Sequence, residues 1–117
     1  MIKLHEDLIM LDENGEQIAV YIEGDAPEEL PDEYFTVSED ATSNAVSADN
    51  KAKAHLYEFT LKWYTKHTER LYSGLQEAIE QLQGKGYDIE GVGYHNDTYQ
   101  DWYSRAVDVE KIDYLEE

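Results

Sequence analysis

A chain of 117 residues, 41% of them apolar, is the size of one domain with a single core. It has no cysteine, which excludes disulfides, thiolate nucleophiles and zinc–thiolate sites, and no apolar run near the roughly 20 residues that cross a bilayer. Its net charge of −18 sets 27 acids against nine bases, a balance that repels phosphate backbones and anionic lipid and excludes a basic nucleic-acid groove.

The acid is unevenly spread: residues 1–40 carry −12, residues 41–86 carry +1 and residues 87–117 carry −7. Glu6 and Asp7 interrupt the N-terminal apolar residues, so no signal peptide is expected and the default is a soluble intracellular protein. Ten tyrosines and two tryptophans supply large rings for a core or an interface.

In chain order, Leu4, Leu8 and Leu11 lie at helical spacing. Asn14-Gly15 suits a helix C-terminus, and it is also a two-residue hairpin signal between Leu8–Leu11 and Ile18–Ile22. The run Leu8-Ile9-Met10-Leu11 does not alternate, which favours a helix over residues 1–14. Gln17–Glu23 reads as a strand with Ile18, Val20 and Ile22 on one face. Gly24–Glu33 holds both prolines and five acids and reads as a surface connection. Tyr34–Ser38 resumes as a strand. Glu39–Lys53 is small and polar, with only Val46 to bury, and is expected to be a long mobile loop.

Ala54–Thr65 is the clearest strand. Tyr57, Phe59, Leu61 and Trp63 alternate with Glu58, Thr60 and Lys62, while Tyr64 keeps the polar side from being uniformly wet. The spacing predicts a helix over Thr68–Gly86, with Thr68 as N-cap and Gly84 or Gly86 at its end. Leu71, Leu75, Ala78, Ile79 and Leu82 form its apolar stripe. Tyr87–Tyr94 is a strand in which Gly91 and Gly93 suggest a bulge, His95–Gln100 a polar turn, and Asp101–Ile112 the last strand, with Tyr103, Val107 and Val109 on one side. The expected fold is one α+β domain over residues 1–117: a mostly antiparallel sheet of about five strands with two helices packed on one face.

Little in the chain points to chemistry. Gly91-Val-Gly93 begins like a dinucleotide fingerprint but lacks the third glycine and the following helix. His95, Asp97 and Asp101 do not match a calcium loop. His5, His55 and His67 are scattered, and Asn96-Asp97-Thr98 fits a glycosylation pattern that needs a secretory route. No catalytic, cofactor-binding or metal-ligating residue is assigned, and no enzyme is expected.

Several ordered segments carry a resemblance: Glu33-Tyr-Phe-Thr-Val, Ala48-Asp-Asn-Lys-Ala-Lys, Tyr57-Glu-Phe-Thr-Leu-Lys-Trp-Tyr-Thr, Leu71-Tyr-Ser-Gly-Leu, Gly86-Tyr-Asp-Ile-Glu-Gly-Val-Gly-Tyr and Asp101-Trp-Tyr-Ser-Arg-Ala-Val-Asp-Val-Glu. Over most of residues 33–114 this set resembles small head–tail joining and tail proteins of long-tailed phages and prophages of Gram-positive bacteria, the tail terminators or tail completion proteins above all. The resemblance implies a helix and an antiparallel sheet crossed by a second helix, assembled as a hexameric ring on the end of the tail tube where the head docks. It implies three partners: further copies of the chain, the tail tube protein and a head-side connector protein. It places the protein first in the host cytoplasm and then at the head–tail junction of the virion, while the composition, charge and motifs above leave no cofactor, no membrane and no direct nucleic-acid binding expected.

A ring on the DNA path must let DNA pass, and an acidic lumen does so because carboxylates release no counterions from phosphates. Candidate subunit or partner contacts are Asp40, Asn44, Asp49, Asn50, Lys51 and Lys53 on the long loop, with Trp102 and Arg105 at the start of the last strand. An alternative is an acidic DNA mimic that inhibits a host nuclease, although the densest acid, Glu23–Glu33, has no regular period. A third is a small chaperone or adaptor that never enters a particle.

Overall fold

The structure, a computed structural model, describes the backbone of residues 2–48, 51–95 and 101–114, and the side chains of these apart from residues 43–48, 51–53 and 91–95. Its elements are α1 (Leu4–Asp7), β1 (Ala19–Ile22), β2 (Glu33–Ala48), β3 (Lys51–Thr65), a 3-10 turn (Thr68–Arg70), α2 (Leu71–Gly84), β4 (Asp88–His95) and β5 (Tyr103–Tyr114). The five strands form one sheet in the order β1-β2-β3-β5-β4.

β3 is central, and its alternation decides the two faces. Tyr57, Phe59, Leu61 and Trp63 are all buried on one side. Phe35 and Val37 of β2 and Val107 and Val109 of β5 stand opposite Trp63, Leu61 and Phe59 in register and extend that apolar surface across three strands. α2 supplies Leu71, Gly74, Leu75, Ala78, Ile79 and Leu82 as its buried stripe. Each such large side chain stabilises the fold by about 1.5–3 kcal/mol on burial. Leu4, Leu8, Met10, Ile18 and Tyr87 join the same cluster.

Local chemistry explains the element ends. α2 stops in a Schellman arrangement: Tyr87 N donates to Leu82 O and Gly86 N to Gln83 O, with Gly86 at φ +91°, where a side chain would be strained. At the other end the expected cap is not made. Thr68 opens the 3-10 turn instead, and α2 begins at Leu71 with no side-chain cap. The chain enters through the Thr65 hydroxyl, which accepts from His67 N at 3.0 Å.

Other expectations are corrected as well. The sheet is mixed, because β1 runs parallel to β2, pairing Ala19–Ile22 with Tyr34–Val37, while the other neighbours are antiparallel. Gly24, at φ +94°, and the proline-bearing connection that follows return the chain to the end from which β1 started.

Residues 39–48 and 51–53, expected to belong to one long loop over Glu39–Lys53, are strand. β2 and β3 stay paired to Ala48 opposite Lys51, with register shifts at Glu39/Ala41, Asn44/Val46 and Val46/Ser47. Backbone pairing needs no apolar side chains once the core has set the register, so the small polar residues give no periodic signal. Asp49 and Asn50 lie outside the described residues.

Residues 1–14 hold a single helical turn rather than a full helix, and Asn14-Gly15 closes a small hairpin. Leu11 bridges Gln17, Gly15 has φ +79°, and Asp12 Oδ1 accepts from Asn14 N at 2.8 Å and Glu16 N at 3.0 Å. Met10 is therefore buried while Leu11 faces out.

β5 begins at Tyr103, which is exposed, so Val107 and Val109 but not Tyr103 lie in the core. β4 carries its register shift between Glu90 and Tyr94, around Gly91 and Gly93.

Candidate functional site

The side of the sheet turned away from the α2 core is divided by chemistry. At one end the even positions of β3 bring rings together. Tyr34 stacks on Tyr64 with centroids 4.7 Å apart, and Tyr21 and Trp102 meet Tyr34 at 5.9 and 6.1 Å. Trp102 Nε1 donates to Pro31 O at 3.1 Å, and Lys66 Nζ sits 4.4 Å from the Trp102 ring centre. This second apolar cluster ties the proline-bearing connection to the sheet.

At the other end the cross-strand register collects carboxylates. Glu58 and Asp88 both stand opposite Glu110, and Glu90 stands opposite Asp108. Asp40, at the register shift in β2, accepts from Thr60 Oγ1 at 2.5 Å and from Ser38 Oγ at 3.0 Å. Asp40, Glu58, Glu90, Asp108 and Glu110 line one depression of about 240 Å3 that, among the described residues, has no basic residue in its walls. Like charges directly opposite on neighbouring strands are unfavourable. Burial, with the Glu90 charge and hydrogen bond and the Glu58 and Asp88 charges, pushes the Glu110 carboxyl above its ordinary value.

A larger cleft of about 570 Å3 lies beside β1, lined by Asp12, Glu13, Glu16, Glu29, Asp32, Glu33, His67 and Arg70 among others. At its inner wall Arg70 Nε donates to both oxygens of Glu33, at 3.0 and 2.7 Å, and Thr65 Oγ1 donates to Glu33 Oε2 at 2.8 Å. Arg70 Nη2 is buried without a hydrogen-bond partner. The hydrogen bond to Glu33 raises the Arg70 pKa further. Both acidic surfaces attract cations and repel phosphates; among the described residues neither presents a nucleophile paired with a base.

The expected contact residues are not gathered in one place. Asp40 belongs to the carboxylate depression. Asn44 is in β2 opposite His55, and Lys51 and Lys53 are in β3, with Lys51 opposite Ala48. Trp102 is buried in the aromatic cluster. Arg105 faces the other way, its guanidinium carbon 4.5 Å from the centre of the exposed Tyr72 ring on α2. Sequence reading missed Glu33 and Arg70, whose pairing joins residues 37 positions apart and leaves no local pattern. It also missed the assembly of Glu58, Asp88, Glu90, Asp108 and Glu110. The alternation of Asp108 and Glu110 was the available signal, and only the register shows that Glu58, Asp88 and Glu90 stand beside them.

Among the described residues no group of three or more histidines or carboxylates is arranged to hold a metal ion, and no helix is long and apolar enough to cross a membrane. Comparison with protein families, with curated proteins and with solved structures finds no match to this chain.

Proposed function

We propose that this protein is a structural component of phage assembly, a tail terminator that closes the tail tube as a homo-oligomeric, hexameric ring and joins it to the head. The reading starts from the ordered sequence resemblance. One structural observation supports it: five carboxylates from β2, β3, β4 and β5 share one depression on the outer sheet face with no base among the described residues that line it. A face of that kind, turned toward a channel, lets DNA slide past without counterion release.

In this reading α1 and α2 cover the same side of the sheet, leaving the acidic side for the lumen. Subunit contacts come from the edges, the tail tube protein and a head-side connector meet the two ends of the ring, and no catalytic step, cofactor or metal takes part. The protein assembles in the host cytoplasm and ends at the head–tail junction of the virion. With −18 on each subunit, ring formation is favoured as salt rises from low to moderate ionic strength, through screening of like charge.

Electron microscopy of particles from a phage lacking this protein tests the proposal. The expected result is DNA-filled heads beside separate tails, some of abnormal length. Intact, infectious, normally tailed particles would falsify it. The variant Glu58→Lys with Asp108→Lys is expected to fold and assemble but to slow DNA passage, because new ammonium groups contact phosphates.

A second reading, an acidic inhibitor of a host nuclease, is favoured by the same carboxylates standing in cross-strand register, a regularity the proline-bearing connection lacks. Loss of such an inhibitor leaves particles normal and shows only on a restricting host.

A further inference from the structure

The outer edge of β2 is paired only at its start. β1 covers Tyr34–Val37, Glu23 N donates to Val37 O at 2.9 Å, and Gly24 then turns the chain away. From Ser38 to Ala48 the strand continues, and among the described residues it is paired on the β3 side alone. Such an edge presents a row of backbone donors and acceptors ready for another strand.

Two cavities flank this edge, one on each face. On the core face a groove of about 410 Å3 opens where β1 ends, with Ile2, Ile22, Val37 and Phe59 as apolar walls and Lys3, His5 and Glu39 beside them. On the outer face lies the carboxylate depression, with Asp40 at its β2 side and Glu58 next inward. A strand laid along the edge alternates its side chains between the two. One set would meet apolar walls and the other would meet carboxylates that, among the described residues, have no base beside them.

We propose that the edge of β2 beyond Val37 receives a short extended segment of a partner protein in which apolar and basic residues alternate. Backbone bonds supply affinity and the two cavities supply specificity. Charge complementarity selects the basic positions.

The same features disfavour a second copy of this chain as occupant. Each copy carries −18, and the register shifts at Glu39/Ala41 and Asn44/Val46 leave only Ala41–Asn44 as regular edge between them. Shifts of this kind block long edge-to-edge pairing yet leave room for a short guest. The inference is independent of the tail-terminator reading, and its test uses the purified chain rather than particles, so failure of one is distinguishable from failure of the other.

The probe is a short capped peptide alternating valine and lysine, compared with a peptide of the same composition in which the valines are grouped. Binding is followed by fluorescence anisotropy, and amide exchange is followed at residues 41–44. The alternating peptide is expected to bind at least about tenfold more tightly than the grouped one, equivalent to about 1.4 kcal/mol, and to slow exchange along this edge. The variant Glu58→Gln with Asp108→Asn, which removes like-charge repulsion and so favours folding, is expected to lose most of that preference. Equal binding of the two peptides without slowed exchange would reduce the effect to general charge attraction and overturn the proposal, as would no binding at all. Protection already present at residues 41–44 in the free chain, accompanied by self-association in sedimentation, would assign the edge to a second copy and overturn it too.

Discussion

Trp63 packs directly on Gly74: a β-carbon on Gly74 would come within 2.4 Å of Trp63 Cε2 and 2.5 Å of Cζ2. The indole fills the place where a side chain of α2 would stand, and Trp63 Nε1 donates to Arg70 O at 3.0 Å just before the helix begins. The central strand and the helix therefore meet backbone to ring, without an intervening side chain.

This contact reverses the usual effect of glycine in a helix. On an exposed helix Gly→Ala stabilises by about 1 kcal/mol. Here Gly74→Ala forces the ring or the helix to move and is expected to destabilise by about 1–3 kcal/mol. Urea denaturation checks it, and a midpoint that rises would contradict the packing. Trp63→Phe in the Gly74→Ala background should recover part of the loss relative to the sum of the two single changes. Trp63→Ala alone is expected to cost about 3–5 kcal/mol and Leu75→Ala about 2–5 kcal/mol.

Arg70 and Glu33 form the second test. The Glu33 side chain is 9% exposed and that of Arg70 19%, so removing one partner strands the other. Arg70→Met is expected to destabilise by about 3–5 kcal/mol, and the double variant with Glu33→Gln by less than Arg70→Met alone. A double-mutant cycle with no coupling would show that the pair does not hold β2 to the start of α2.

Tyr87 fastens the N-terminal turn. Its hydroxyl donates to Asp7 Oδ2 at 2.5 Å, Lys85 Nζ donates to Asp7 O, and Gln81 exchanges two hydrogen bonds with the Ile9 backbone. Burial and then the Asp7 hydrogen bond raise the Tyr87 pKa, keeping the phenol protonated through the physiological range. Tyr87→Phe removes a hydrogen bond to a charged acceptor and is expected to cost about 1.5–3 kcal/mol. Hydrogen exchange should quicken at Leu8, whose amide bonds Leu4 O, more than in the centre of β3.

Glu110 predicts a pH dependence. Its carboxyl is raised above 4.5 by burial first and then by Glu90, Glu58 and Asp88. A carboxyl with a raised folded-state pKa binds its proton more tightly in the folded than in the unfolded chain. Acidification through the raised value adds stability, and a rise in pH from the ordinary value through the raised one removes it. Glu110→Gln is expected to be more stable than the parent near neutral pH and to flatten this part of the pH profile. Unfolding midpoints at about pH 5 and about pH 8 measure the difference. A parent that gains on the variant as pH rises would refute the repulsive arrangement.

Much of the core was legible because its side chains repeat with the period of their element. Tyr57, Phe59, Leu61 and Trp63 alternate, Leu71, Leu75, Ala78, Ile79 and Leu82 fall on one helical stripe, and all nine are buried. Period and burial coincide there because one face of each element turns from water. The glycines of Tyr87–Tyr94 likewise announced the register shift in β4.

The sequence by itself determined the central strand, the amphipathic helix and its glycine stop, since each follows from interactions between near neighbours. Tertiary structure alone decided the rest. Residues 39–48 became strand because β3 offered them a backbone partner, and β1 lies parallel because the connection after Gly24 returns it to β2. Glu33 met Arg70 across the start of the helix. The carboxylates of β3, β4 and β5 share a face only through inter-strand register. These are contacts between residues far apart in the chain, and a local pattern carries no record of which distant backbone or charge will stand opposite.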